Sequence, residues 1–165
     1  MMSLSIRDLT IEDGSEAVKL NEAVVALTSP MDAERYATLC ELSNLKLAAK
    51  IDGQFAGFLL AMPAGTAYDN GNYQWFSERH QDFVYIDRVV VSKEFRSLGV
   101  GRALYSRAFD DAKRMGALHI CAEINSEPAN DASLHFHTSK GFIRVGTRQL
   151  DSGKTVSMQI RSLVE

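Results

Sequence analysis

The chain has 165 residues, 45% hydrophobic and 24% charged, with a formal net charge of −3. That length suits one domain, residues 1–165, with its own core and too little chain for a second. The acidic balance argues against nucleic acid as a partner, because a phosphate backbone wants a basic surface. A local cluster of arginines would still hold a small anion.

The two cysteines, Cys40 and Cys121, form no CxxC pair and belong to no set with metal-ligand spacing, so no metal is expected. Cys121 lies in an apolar run and reads as a buried thiol. Residues Met1 to Thr10 mix charge and polarity too early for a signal peptide, and Ala56 to Met62 is too short an apolar run to span a bilayer. The default is a reduced, cytoplasmic location without a membrane partner.

Leu4 to Leu9 opens the chain as a short strand. Ala17, Leu20, Asn21, Val24 and Leu27 follow helical spacing, and Thr28-Ser29-Pro30 stops that helix. Asp32 is placed to cap a second helix running to about Leu42. Lys46 to Ile51 and Gln54 to Met62 flank Asp52-Gly53, a strong hairpin signal. Ala64 to Asp82 then reads as a loop, longer than the roughly 12–15 residues usual for structureless connections. It carries Tyr68, Tyr73, Trp75 and Phe76.

Phe83 to Val91 is a strand and Gly99 to Met115 a helix, with Lys113 and Arg114 in its last turn and Gly116 as its stop. Leu118 to Asn125 is a strand, and Asn130 to Lys140 a helix ended by Gly141. Two strands follow, about Phe142 to Gln149 and Thr155 to Arg161, joined through Asp151-Ser152-Gly153. The order βααββ then βαβαββ describes an α/β domain, a mixed sheet of about seven strands flanked by about four helices. The unit from Phe83 to Asn125 implies a right-handed parallel crossover.

Arg96-Ser97-Leu98-Gly99-Val100-Gly101-Arg102 lies after a strand and opens a helix. Glycines there let a ligand approach the backbone, and the first helical N–H groups point outward unsatisfied. With the helix dipole they form an anion site suited to phosphate, and Arg96 and Arg102 offer counter-charge. A P-loop fails, because Arg102 and Ala103 follow Gly101 where Lys and Ser/Thr are needed. A dinucleotide fingerprint fails too, because Leu104 stands where its third glycine belongs.

What remains, Arg-x-x-Gly-x-Gly, resembles the signature of the GNAT superfamily of N-acetyltransferases. Val89-Val90-Val91 precedes it at that family's distance. Asn130 stands before a helix ending in Gly141-Phe142, as in the family's Asn…Tyr…Gly-Phe pattern. The element order fits over essentially the whole chain. The resemblance implies a GNAT-like acyl-CoA N-acyltransferase fold and the use of acetyl-CoA, released as CoA. It further implies that the backbone of Val89, Val90 and Val91 bonds the pantetheine arm like an added strand. Amides of Arg96, Ser97, Leu98, Gly99, Val100, Gly101 and Arg102 would cradle the pyrophosphate, and Asn130 would hold the cofactor near its reactive end.

Acetylating a lysine-like amine meets a protonation penalty. With a pKa of about 10.4, only ~1 in 2,500 is nucleophilic at pH 7. Strand period two places Glu123 with His119, Cys121 and Asn125, a carboxylate inside an apolar strand and so the first candidate base. Many GNAT enzymes carry a glutamate here, although the path from Glu123 to Asn130 is longer in this chain and contains Pro128. Asp87 is the second candidate, its alternative being a structural ion pair or a loop cap. Seven residues after the asparagine, where the family often has a tyrosine acid, stands His137. It either donates a proton or hydrogen bond to the leaving thiolate, or packs and caps the helix.

Tyr68, Tyr73 and Trp75 are candidates for an acceptor wall, faced by the Thr28 to Asp32 turn. The alternative is a segment folded onto the sheet or buried against a second subunit of a homodimer. A small-molecule or peptide amine is the expected acceptor, its identity open among polyamine, amino acid, antibiotic, peptide N-terminus and lysine. Two rivals stand beside the enzyme: a non-catalytic acyl-CoA-binding module and a nucleotide-binding regulatory domain.

Overall fold

The computed structural model describes residues 2–164. Its strands are β1 (Leu4–Asp8), β2 (Leu45–Ile51), β3 (Gln54–Pro63), β4 (Phe83–Val91), β5 (His119–Glu127), β6 (Ile143–Gln149) and β7 (Thr155–Ser162). They form one sheet in the order β1-β2-β3-β4-β5-β7-β6. Every neighbouring pair is antiparallel except β4 and β5, which are parallel. Parallel neighbours need a crossover, and helix α4 (Val100–Arg114) supplies it. No helix among the described residues is long and apolar enough to cross a membrane.

Helices α1 (Gly14–Ala23) and α2 (Ala33–Leu42) cover one face of the sheet, where Ala17, Tyr36 and Leu39 pack with Phe58, Leu60, Met62 and Tyr85. Helix α4 covers the other, burying Val100, Leu104, Ala108 and Ala112 against Leu47, Leu59, Ala61 and Ile120. Adjacent residues such as Leu59 and Leu60 serve opposite cores, so β3 reads as a continuous apolar run rather than an alternation. Helix α5 (Asp131–Ser139) packs Leu134 and Phe136 into the α4 side.

Local signals account for most boundaries. The Asp32 carboxylate accepts from the Arg35 amide at 2.7 Å and starts α2. Asp52 and Gly53 both take positive φ, 49° and 79°, as a two-residue hairpin turn requires. Helix α1 ends at Ala23, and the chain continues as a 3-10 turn over Val25–Leu27. The β-branched pair Val24-Val25 disfavours a further helical turn there.

The expected loop between Ala64 and Asp82 instead contains a fifth helix, α3 (Gly71–Ser77), capped by the Asn70 side chain on the Tyr73 amide at 3.0 Å. It lies across β6. A Cβ on Gly146 would come within 2.5 Å of the Trp75 ring, so glycine is what lets the indole close on that strand.

Asp13 closes the 3-10 turn (Ile11–Asp13) that leads into α1. Its two oxygens take both Arg7 amine groups at 2.7 and 2.8 Å, and one also accepts from the Thr10 amide at 2.8 Å. These bonds, Arg7 first, hold its pKa down to about 2 against an ordinary 3.8. A depressed carboxylate stabilises the fold above its unfolded pKa and loses that contribution as pH falls through the folded value. Asp13→Asn is therefore expected to cost about 1–2 kcal/mol at pH 7, discounted for the half-exposed arginine. At pH 2, where the folded carboxyl is about half protonated, it should cost only a small part of that. Urea melts of both proteins at the two pH values check this.

Candidate active site

Strands β4 and β5 pair only at Phe83↔His119, Val84↔Ile120 and Tyr85↔Cys121. Beyond Tyr85 they share no ladder, while β4 stays bonded to β3 as far as Val91↔Gly57. The β5-facing backbone edge of β4 from Ile86 to Val91 is thus open, with peptide groups that need partners. Val89, Val90 and Val91 lie on it. The Val90 side chain is buried on the α1–α2 side, and Val89 and Val91 pack towards α4.

A bulge shapes this strand. Leu60 faces Arg88 and Ala61 faces Ile86, which leaves Asp87 as the extra residue. Asp87 and Arg88 consequently both turn towards the α1–α2 face. Their side chains are 4% and 2% exposed and meet at 2.7 Å, Arg88 Nε donating to Asp87 Oδ2. The Tyr68 hydroxyl donates to the other Asp87 oxygen at 2.5 Å. The rest of the guanidinium ties down the α1–α2 turn, donating to Asn21 Oδ1 at 2.9 Å and to the Ser29 carbonyl and hydroxyl at 3.0 and 2.8 Å.

Glu123 stands two residues past the last β5 pair, as Asp87 does on β4, so the two carboxyl groups flank the same opening. The Tyr85 hydroxyl donates to Glu123 Oε1 at 2.5 Å. Burial pushes the Glu123 carboxyl up to about 8; the Tyr85 bond opposes this and the Asp87 charge adds to it. Burial, and then the neighbouring carboxylates, raise Tyr85 and Tyr68 so that both stay protonated donors.

The glycine loop closes the other end of the opening. Ser97 and Gly99 take positive φ, 66° and 86°, before α4 starts at Val100. The first bond back to the loop comes from the Ala103 amide to the Gly99 carbonyl at 3.0 Å, so the amides of Val100, Gly101 and Arg102 are left for a ligand. Arg96, Leu98 and Arg102 are exposed around them. Gly101 lies between the Val91 and Phe136 side chains, each 4.0 Å from where its Cβ would be. An anionic cofactor with a long amide-bearing arm fits: amides at the helix start for its phosphates, and an open strand edge for its arm.

Asn130 caps α5, its side-chain oxygen accepting from the Ser133 amide at 3.3 Å. Its own amide bonds the Asn125 carbonyl at 2.9 Å. The extra residues between Glu123 and Asn130 are absorbed by a bulge near Ser126 and a bridge from Ser126 to Ala129.

Three expected site residues sit elsewhere. Tyr73 is 2% exposed, with its hydroxyl donating to the Pro63 carbonyl at 2.6 Å and accepting from the Thr66 amide at 3.0 Å, so it is core. Trp75 packs on Gly146 with the Arg79 guanidinium 4.0 Å over its ring, facing β6 rather than the opening. His137 is 7% exposed with both nitrogens engaged. Nδ1 meets the Ser133 carbonyl at 2.7 Å and Nε2 the Tyr105 hydroxyl at 2.5 Å. A carbonyl only accepts, so Nδ1 carries the proton and Nε2 accepts from Tyr105; burial lowers the His137 pKa and keeps the ring neutral. This places it as a lock between α4 and α5, not as a free acid.

Sequence reasoning passed over Tyr85, Tyr105 and Gly57. Gly57 carried a signal, a glycine inside an apolar strand. Its Cβ would lie 2.6 Å from the Val90 carbonyl and 3.2 Å from Val100, so glycine lets α4 start close against the sheet.

Comparison with known proteins bears on the fold and the family. A search of curated proteins finds no match. Among solved structures, Ard1 from Thermoplasma volcanium superposes with a TM-score of 0.80 at 16% identity, covering 98% of this chain and 99% of that one. The ribosomal-protein-S18-alanine N-acetyltransferase of Escherichia coli gives 0.77 at 16% identity, covering 99% and 96%. The yncA protein of Salmonella typhimurium, solved with its cofactor acetyl-CoA, gives 0.75 at 22% identity, covering 99% and 95%. These likenesses show the fold. The model of the acetyltransferase (GNAT) family matches residues 14–142, most of the chain. The chain belongs to the GNAT acetyltransferase family.

Proposed function

We propose that this protein transfers the acetyl group of acetyl-CoA to a primary amine of a small molecule or peptide, by direct attack in a ternary complex. The observation that carries the reading is the open β4 edge, which runs from unsatisfied amides at Val100 to Arg102 to two buried carboxyl groups. When bound, acetyl-CoA supplies an activated thioester carbonyl. Peptide groups of Val89 to Val91 hold the amide-bearing arm as a strand neighbour would. Asn130 and Phe136, kept in place by the Tyr105–His137 lock, cover the arm from α5.

Glu123 takes the proton that the amine must lose as the C–N bond forms and the C–S bond breaks. CoA leaves as its thiolate, which a thiol of pKa about 8.5 does without a dedicated acid. At about 8 its pKa lies roughly 2 units below a lysine-like amine, whereas an ordinary glutamate lies about 6 units below. Matching the base to the acid in this way is what efficient proton transfer requires. Asp87 stays paired with Arg88 and, through Tyr68, shapes the acceptor side.

Thermal unfolding with acetyl-CoA, CoA, ATP and NAD in parallel tests the reading. At 100 times Kd a ligand adds about 2.7 kcal/mol, roughly 5–10 °C for a domain of this size. The expected result is a shift with the two CoA species only. No shift with either at millimolar concentration refutes the acetyltransferase reading.

A further inference from the structure

We infer that the acceptor is an amino acid with a neutral or basic side chain, its carboxylate held by Arg35 beside the reacting amine. This rests on the acetyltransferase reading for the chemistry, and on separate observations for the binding.

Arg35 lies in the first turn of α2, its backbone fixed by the Asp32 cap at 2.7 Å. Its guanidinium is half-buried and, like those of Arg148 and Arg161, lies outside every ion pair among the described residues. Arg7, Arg88 and Arg107 each have a carboxylate within 4.0 Å, whereas Arg35, among the described residues, has none. Its one polar contact is a long 3.5 Å approach to the Tyr68 hydroxyl, with the group 5.6 Å over the Tyr68 ring. A planar fork of five donors with a single long contact is matched to a bidentate carboxylate.

Its position supplies the second half. The Tyr68 hydroxyl that Arg35 approaches is the one donating to Asp87, so a single hydroxyl separates the free guanidinium from the catalytic opening. A carboxylate on Arg35 would therefore sit one hydroxyl from Asp87, which flanks the same opening as Glu123. An α-amino acid carries carboxylate and amine on one carbon, and a long polyamine has no anion for the cation to hold.

The side chain of the ligand has a place as well. Arg35 lines a cleft of about 430 Å³ with Val18, Pro30, Met31, Glu22 and Asp32. Val18, Pro30 and Met31 offer an apolar floor. Glu22 and Asp32 place two negative charges on the rim, which repel a second anion and favour neutral or cationic side chains. The cleft is held open in advance, because Arg88 anchors Ser29 from beneath and Lys154 Nζ donates to the Ala26 carbonyl at 2.7 Å.

The test is calorimetric titration of the protein, with and without CoA, using methionine, lysine, glutamine and glutamate, and methioninamide as the amine lacking a carboxylate. Acetylation of the same compounds is followed in parallel. The expected result is binding and turnover of methionine, lysine and glutamine, with methioninamide about 100-fold poorer and glutamate poorer than glutamine. Arg35→Gln is expected to erase the preference for methionine over its amide while leaving the Kd for CoA unchanged, and Arg35→Lys to restore part of it. Equal use of methionine and methioninamide, or no binding of any amino acid at millimolar concentration, overturns the assignment. Amino-acid binding that Arg35→Gln abolishes, in a protein that does not bind CoA, supports the carboxylate site and overturns the acetyltransferase reading alone.

Discussion

Glu123→Gln is expected to lower kcat/KM about 10²- to 10⁴-fold at pH 8 while leaving the Kd for acetyl-CoA unchanged, as loss of a general base does. The pH profile identifies the group. A base acts in its ionised form, and burial holds this carboxyl up to about 8. Wild-type kcat/KM should therefore climb with pH below 8 and lose that slope above it. In the glutamine variant the limb centred near 8 disappears, and only ionisation of the amine remains. Unchanged turnover in the variant excludes Glu123 as the base. Turnover absent from both proteins, with CoA bound, favours the non-catalytic acyl-CoA-binding module.

The same shift makes a separate claim about stability. Glu123 has a folded pKa above its unfolded one, so its contribution is complete below the unfolded value and is lost as pH rises through about 8. At pH 9 the wild type carries a buried charge beside Asp87 and the variant does not. Glu123→Gln should accordingly melt several degrees higher than wild type at pH 9 and at nearly the same temperature at pH 5. A merely structural glutamate held by Tyr85 would predict destabilisation at both.

Much of this was readable residue by residue. Asp32 as a cap, Asp52-Gly53 as a turn and Gly116 and Gly141 as helix stops are local choices, and the latter two indeed take φ of 85° and 90°. Gly99 before α4 belongs with them, and so does Glu123, whose face follows from strand period alone. Helix α3 carried weaker signals, Asn70 as a cap and Tyr73 and Phe76 one turn apart. At seven residues it is too short for periodicity to outweigh the loop reading, and what holds it is the approach of Trp75 to Gly146, far along the chain. The choice between the two readings of Asp87, and of His137, stayed open for a like reason. A bulge that turns Asp87 and Arg88 to one face depends on how β3 pairs with β4. Whether His137 acts or packs cannot be read until Tyr105, 32 residues earlier, is seen to hold Nε2.

Arg88→Met is expected to cost about 3–5 kcal/mol, a drop in Tm of roughly 6–20 °C, because it leaves the Asp87 charge buried without a cation. The Asp87 side chain is 4% exposed, and the Tyr68 hydroxyl would remain its one side-chain partner. The loss does not measure the worth of the ion pair, since much of it is the desolvated charge left behind. A second substitution separates the two. Asp87→Asn in the same chain removes that charge, so the double variant should be more stable than Arg88→Met alone. Recovery will stop short of wild type, because Asn21 and Ser29 still lose the donors that held them. Those donors fix the turn between α1 and α2, which borders the cleft lined by Arg35, and not the glycine loop. In the double variant the KM for the acceptor should therefore rise while the Kd for acetyl-CoA holds. If Arg88→Met costs under about 1 kcal/mol, or Asp87→Asn recovers nothing, the buried pair is not what sets this turn. The acceptor side would then have to be organised by Tyr68 and the Asp32 cap alone.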